Sequence, residues 1–85
     1  MSVWCVYILR CADGTLYTGI AADLSKRLGA HRRGAGAKYT RGRRPLRLVY
    51  REEQPDRSSA LKREAALRRL GRPGKLALID RRRWQ

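Results

Sequence analysis

Two tyrosines lie on either side of a short turn near the start of the chain, and their spacing decides whether they could share one site. A three-residue loop at residues 12–14 would pair residue 7 with residue 19, which places Tyr7 and Tyr17 on the same face of a hairpin. A two-residue loop would place them on opposite faces. Gly14 suits the left-handed position that ends a three-residue loop, so we predict that loop. Gly19 would then leave room for the Tyr7 hydroxyl.

An arginine and a histidine follow on the first predicted helix. Asp23 is its expected N-cap and Gly34 its expected end. Arg27 and His31 are four residues apart and therefore share one side of the helix. Close to two phenols, they could bind a phosphate and move a proton. The alternative is that both are ordinary exposed residues of an arginine-rich chain.

One acidic residue occupies an unusual position in the long helix predicted near the C-terminus. Glu64 neighbours Ala60, Leu61 and Leu67 on the helix surface, at the edge of the apolar stripe expected to face the sheet. A buried carboxylate is costly unless it is paired. Glu64 therefore requires either an arginine across the helix–sheet boundary or a divalent cation.

The composition favours a polyanionic partner. The chain has 85 residues, of which 21 are Lys or Arg and 7 are Asp or Glu, giving a net charge of +14. Arginine presents a planar fork that suits phosphate oxygens, so nucleic acid is the expected partner. A membrane is not expected, because no stretch is long and apolar enough to span one. Solvated surface charge without a partner is the alternative.

A glycine- and arginine-rich segment, residues 34–45, is predicted to be a loop without secondary structure. Its length in so small a domain suggests a functional loop. Tyr39 could stack on a base or sugar, or it could cover the edge of the core. The loop cations are the expected phosphate contacts, which confer affinity rather than sequence specificity: Lys38, Arg41, Arg43 and Arg44.

The apolar pattern predicts the elements that position these residues in one domain over residues 1–85. Strands are expected at 3–11, 15–21 and 46–51, and helices at 24–33, at about 58–70 and at 73–79. The order β-β-α-β-α-α predicts an α+β fold with one three-stranded sheet flanked by helices and the first strand central. Cys5 and Cys11 are expected to be free packing thiols of a cytoplasmic protein.

These residues and their order resemble the GIY-YIG endonuclease superfamily, in particular its short, stand-alone bacterial members. The first motif corresponds to Cys5-Val6-Tyr7 and the second to Tyr17-Thr18-Gly19. The resemblance continues through Arg27, His31, Tyr39 and Glu64 and covers roughly residues 3 to 79. Cys5 stands where the family's first motif has glycine, and the chain contains no asparagine, which many members carry after the glutamate.

The resemblance implies a three-stranded antiparallel sheet and hydrolysis of DNA phosphodiester bonds with one Mg²⁺ or Mn²⁺ ion. It implies that Tyr7 is a general base or proton relay and that Tyr17 positions the phosphate or the nucleophile. Arg27 would stabilise the charge that develops on phosphorus oxygens, and His31 would assist proton transfer. Glu64 would hold the metal.

Two functions stay open at this point. One is a metal-dependent DNA endonuclease, structure-specific or non-specific. The other is a non-catalytic DNA- or RNA-binding protein on the same scaffold, which includes a ribosome-associated protein. A pure binder would not need an acidic residue in a phosphate site, so Glu64 together with the two tyrosines and Arg27 favours the nuclease. No small-molecule cofactor is expected.

Overall fold

The computed structural model describes residues 3–82 as one antiparallel sheet with helices packed beside it. The strands are β1 (Trp4–Arg10), β2 (Leu16–Ala21) and β3 (Arg47–Gln54). The helices are α1 (Leu24–Arg32), α2 (Lys38–Arg41) and α3 (Arg57–Arg82). The strand order is β2-β1-β3, so β1 is central. This confirms the predicted α+β architecture.

The β1–β2 hairpin has the predicted register. Tyr7 pairs with Gly19, and the Gly14 N–H donates to the Cys11 carbonyl at 2.9 Å to close the loop. Gly14 has φ +85°, a backbone conformation that favours glycine. The loop therefore has three residues, and Tyr7 and Tyr17 lie on the same face of the sheet, as predicted.

Both faces of β1 are covered, because its side chains alternate between two apolar clusters. The cluster on the α1 side contains Cys5, Tyr7, Leu9, Ala21 and Leu24. The cluster on the α3 side contains Val6, Ile8, Tyr50, Ala60 and Leu67. Both cysteines are buried free thiols, as expected. The tyrosines therefore face α1.

Local signals in the sequence set the ends of the long helices. The Asp23 carboxylate accepts from the Lys26 N–H at 3.1 Å and caps α1. Asp56 accepts from the Ser59 N–H at 2.7 Å and caps α3. The two predicted C-terminal helices correspond to the two parts of α3, which is interrupted at Gly71 (φ 67°). Within residues 3–82, no helix has the length and apolar character needed to cross a membrane.

Some details of the prediction were wrong. The segment predicted to be a structureless loop contains α2, a single turn too short to show a periodic pattern. Strand β3 continues to Gln54 instead of ending near residue 51. The apolar stripe of α3 is narrower than predicted, because Leu61 and Leu70 are 38% and 47% exposed. Among the core residues, α3 contributes Ala60 and Leu67.

Candidate active site

Three aromatic side chains from β1, β2 and α1 meet on one face of the sheet. The ring centroids of Tyr7 and Tyr17 are 6.5 Å apart. The His31 ring lies 6.0 Å from Tyr7 and 5.5 Å from Tyr17. Tyr7 and His31 are fully buried, whereas Tyr17 is half-buried. The sequence-predicted neighbours are thus brought together, with Tyr17 on the solvent side.

Gly19 provides the space that the two phenols occupy. A Cβ at this position would stand 2.7 Å from the Tyr7 hydroxyl and 3.1 Å from Cε2 of Tyr17. A carbon atom does not approach an oxygen this closely, since even a C–H···O contact is about 3.3 Å or longer. Any larger residue would therefore displace the Tyr7 side chain.

The pKa of the Arg27 guanidinium is raised. The largest cause is its interaction with the Tyr7 hydroxyl, and the nearby Tyr17 phenol adds to it. Burial raises the pKa of Tyr7, and the interaction with Arg27 offsets only part of this increase. The charges of Tyr17 and Glu64 raise it further. The Tyr7 phenol is therefore protonated at neutral pH. Arg27 is placed to stabilise negative charge that develops next to it.

His31 connects Tyr7 to α2. The Tyr7 hydroxyl lies 2.9 Å from His31 Nε2, and the Thr40 hydroxyl lies 2.9 Å from Nδ1. Burial lowers the pKa of His31, and the positive charge of Arg27 lowers it further. The imidazole is therefore neutral at pH 7. Sequence reasoning did not single out Thr40, since a threonine beside a candidate stacking tyrosine carries no distinguishing signal.

Glu64 belongs to α3, and its negative charge is the smallest of the contributions that raise the pKa of Tyr7. Its side chain is 16% exposed and lies 3.4 Å from Nη2 of Arg68. The same Arg68 nitrogen donates to the Thr18 carbonyl of β2 at 3.3 Å. Glu64 therefore has an arginine partner, but on its own helix and not on the sheet. This long, partly exposed ion pair is weak and leaves the carboxylate able to take another partner.

The Glu64 carboxylate is the kind of ligand that suits a hard divalent cation that keeps most of its bound water. Among the described residues, no group of three or more His, Cys, Asp or Glu side chains could hold a metal. Mg²⁺ is commonly bound by one or two carboxylates together with water and substrate phosphate. A single carboxylate such as that of Glu64 fits this pattern.

The exposed side of α2 carries two of the predicted phosphate contacts. Lys38 and Arg41 are exposed, as residues that meet a nucleic-acid backbone must be. Arg44 is instead used within the fold, where its guanidinium donates to the carbonyls of Arg32 and Arg41 at 3.2 Å. These bonds attach residues 41–44 to the end of α1.

Tyr39 and Arg43 form a stacked group over Tyr17. The rings of Tyr17 and Tyr39 are 5.8 Å apart and nearly parallel, and the Arg43 guanidinium lies 4.1 Å from the Tyr39 centroid. Arg43 also pairs with Asp13 at 3.1 Å. Tyr39 is 39% exposed. The ring thus covers the core edge, and its remaining exposed area faces solvent beside the site.

Comparisons with known proteins found similarity over most of the chain. A family model described as the GIY-YIG catalytic domain matches residues 3–77. A UPF0213 protein of Desulfotalea psychrophila is 53% identical over 77 residues, which cover 89% of this chain and 70% of that protein. A UPF0213 protein of Staphylococcus aureus is 52% identical over 77 residues, covering 91% and 94%. The solution NMR structure of a UPF0213 protein from Bacillus halodurans matches with a TM-score of 0.60 and 42% identity, covering 92% of this chain and 83% of that chain. The chain therefore belongs to the GIY-YIG family, and within it to the UPF0213 proteins.

Proposed function

We propose that this protein is a metal-dependent endonuclease that hydrolyses DNA phosphodiester bonds, either non-specifically or at particular DNA structures. Membership of the GIY-YIG family implies nuclease-type activity in general. One observation supports the finer proposal above all: the buried Tyr7 hydroxyl lies 2.9 Å from Nε2 of His31 and its ring lies 6.5 Å from that of Tyr17. The pKa of Tyr7 is also influenced by Arg27 and Glu64. A cytoplasmic location follows from DNA as the substrate.

In this proposal, DNA binding gives the attacking water access to the otherwise fully buried Tyr7 hydroxyl, and Tyr7 relays a proton from that water to His31. Both groups are neutral at rest, because burial raises the pKa of Tyr7 and lowers that of His31. A free phenolate would be costly in this site, and moving both protons in one step avoids it. The water oxygen bonds to phosphorus as the bond to the leaving oxygen breaks. The imidazolium is buried against Tyr7 and therefore returns its extra proton through the Tyr7 hydroxyl to the leaving oxygen or to solvent.

The remaining side chains would stabilise and position the phosphate. Arg27 would donate to the oxygens on which negative charge develops. Tyr17, on the solvent side of the cluster, would position the phosphate or the water. An Mg²⁺ or Mn²⁺ ion held by Glu64 would supply further stabilisation of the leaving oxygen. Lys38 and Arg41 would contact the DNA backbone outside the cluster.

The experiment compares metal-dependent cleavage by three purified proteins. Wild type, Glu64→Gln and Glu53→Gln are incubated with labelled single-stranded, duplex, flap and branched DNA in Mg²⁺, Mn²⁺ or chelator. Glu53 is the matched control, because its side chain is 67% exposed and pairs only distantly with Arg51 at 3.8 Å. We expect wild type and Glu53→Gln to cut only with metal, and Glu64→Gln to bind DNA without cutting.

Two results would contradict the proposal. Cleavage that persists in chelator or in Glu64→Gln would remove the metal role of Glu64. Tight binding without cleavage by wild type in either metal would establish the non-catalytic nucleic-acid-binding protein instead.

A further inference from the structure

A buried hydrogen-bond chain continues past the groups that the proposed reaction uses. It runs from the Tyr7 hydroxyl to His31 Nε2, and from His31 Nδ1 to the Thr40 hydroxyl, with 2.9 Å at each step. The Thr40 hydroxyl lies 3.0 Å from the Ala37 carbonyl. Tyr7, His31 and Thr40 are each 0% exposed. Water therefore cannot replace a missing partner in this series of hydrogen bonds, and each proton must be assigned to one donor and one acceptor within the protein.

The Thr40 end of the chain defines which imidazole nitrogen carries the proton. A threonine hydroxyl has one proton to donate, and the Ala37 carbonyl can only accept. The hydroxyl proton therefore lies between Thr40 and Ala37. The Thr40 oxygen then accepts from His31, which requires a proton on Nδ1.

The Tyr7 end gives the same answer independently. The Tyr7 side chain is fully buried, so its O–H proton needs an acceptor within the protein. Nε2 of His31 lies 2.9 Å from the hydroxyl oxygen and can accept this proton. If Nε2 carried a proton instead, the Tyr7 oxygen would accept from His31, and the buried Tyr7 proton would be left without that acceptor. Both ends therefore require the same neutral tautomer.

We propose that Thr40 is a positioning residue, whose hydroxyl holds His31 in the Nδ1–H tautomer and so keeps Nε2 available to accept the proton of Tyr7. The assignment of the tautomer stands on the hydrogen-bond geometry alone. Its catalytic consequence rests on the proposed nuclease reaction.

The segment before α2 is shaped to hold this contact. A Cβ at Gly36 would stand 2.7 Å from Cγ and 2.9 Å from Cα of His31, which no side chain could occupy without displacing the ring. The absence of a side chain lets the backbone at Gly36 lie directly against the imidazole. The site thereby includes a residue of α2 whose hydroxyl faces inward, while Lys38 and Arg41 on the same short helix are exposed.

The chain contains one histidine, so nitrogen NMR of the histidine-labelled protein reports His31 without overlap. The spectra of wild type, Thr40→Val and Thr40→Ser are compared at a pH where the imidazole is neutral. We expect wild type to show a protonated Nδ1 and an unprotonated Nε2, and Thr40→Ser to show the same pattern. Thr40→Val, which keeps the shape and loses the hydroxyl, should shift both nitrogens towards a mixture of tautomers.

Cleavage provides the second measurement. We expect Thr40→Val to lower kcat about 10-fold to 100-fold with little change in KM, because it removes a partner that orients a reacting group. Thr40→Ser keeps the hydroxyl and should have a kcat close to that of wild type. A protonated Nε2 in wild type would overturn the assignment of the tautomer. An unchanged tautomer in a folded Thr40→Val would show that Tyr7 alone maintains it and would overturn the positioning role of Thr40. Because the wild-type spectrum needs neither a variant nor a substrate, it decides the assignment even if the nuclease proposal fails.

Discussion

Tyr7 and Gly19 are paired across the β1–β2 hairpin, and the phenol oxygen lies 2.7 Å from where a Cβ on the glycine would be. Gly19 therefore contributes to the site by having no side chain, which leaves space for the Tyr7 hydroxyl. Since the Tyr7 oxygen is also bonded to His31 at 2.9 Å, any displacement of the ring would lengthen that bond.

Gly19→Ala should displace Tyr7 and abolish cleavage. We expect the free energy of unfolding to fall by about 1–3 kcal/mol, because the added methyl group overfills a packed site. Gly42→Ala is the matched control, because Gly42 has a negative φ of −93° and open space where a Cβ would be. Urea unfolding and cleavage assays are run on both. Equal activity in the two variants would mean that the position of Tyr7 does not matter.

Removal of the two tyrosine hydroxyls should have unequal effects on stability. Tyr7→Phe leaves Nε2 of the fully buried His31 without its donor, which we expect to cost about 1–3 kcal/mol. Tyr17→Phe removes a hydroxyl from a half-buried side chain and should change stability by less than about 0.5 kcal/mol. Denaturant unfolding of both variants at pH 8 measures the difference. Similar losses would show that the Tyr7–His31 bond does not stabilise the fold.

Stability should decrease as the pH falls below about 6.5, the ordinary pKa of histidine. Burial, and next the charge of Arg27, lower the pKa of His31 in the folded protein. Below pH 6.5 the unfolded chain therefore binds more protons than the folded one, and the free energy of unfolding falls by at most about 1.4 kcal/mol per pH unit. Unfolding in urea between pH 5.5 and 7.5 checks this. The free energy of unfolding of His31→Gln should not change with pH over that range. If wild type showed equally little change, the lowered pKa of His31 in the folded protein would be contradicted.

Two arginines of the 34–45 segment should separate DNA binding from stability. Arg41→Ala should leave stability unchanged within about 0.5 kcal/mol. It should reduce the slope of log Kd against log salt concentration by about 0.9, the value for one lost phosphate contact. Arg44→Ala should instead lower stability by about 1 kcal/mol, because two backbone carbonyls lose their donor. Binding titrations at several salt concentrations and urea unfolding measure both quantities. An unchanged salt slope in Arg41→Ala would exclude this contact.

The parts of the structure that sequence reasoning predicted depend on local rules. The register of the hairpin follows from the length of one loop and from a glycine at its left-handed position. The capping residue Asp23 is recognisable because its side chain satisfies an N–H group only a few residues away. These local features were sufficient to place the tyrosines, Arg27 and His31 on one side of the sheet.

The parts that it did not predict depend on contacts between distant segments. Thr40 is buried because residues 34–37 fold back onto His31, a contact with no periodic signal in the sequence. Leu61 and Leu70 are exposed because α3 contacts the sheet along a narrower line than its apolar content suggests. An arginine across the helix–sheet boundary was one of the two partners considered for Glu64, the other being a divalent cation. The arginine that pairs with it, Arg68, is on the same helix and also donates to the Thr18 carbonyl of the sheet.

The position of Glu64 along the chain has a consequence for the order in which the site is assembled during synthesis. Five residues of the candidate site precede β3 in the chain: Tyr7, Tyr17, Arg27, His31 and Thr40. Glu64 instead belongs to α3, whose buried residues pack on the opposite face of the sheet. A nascent or truncated chain that ends before α3 therefore contains the phenols and arginines of the site without this carboxylate. Such a fragment keeps many cationic groups that attract nucleic acid, and the proposed metal ligand is added only when the last helix has been translated and has docked.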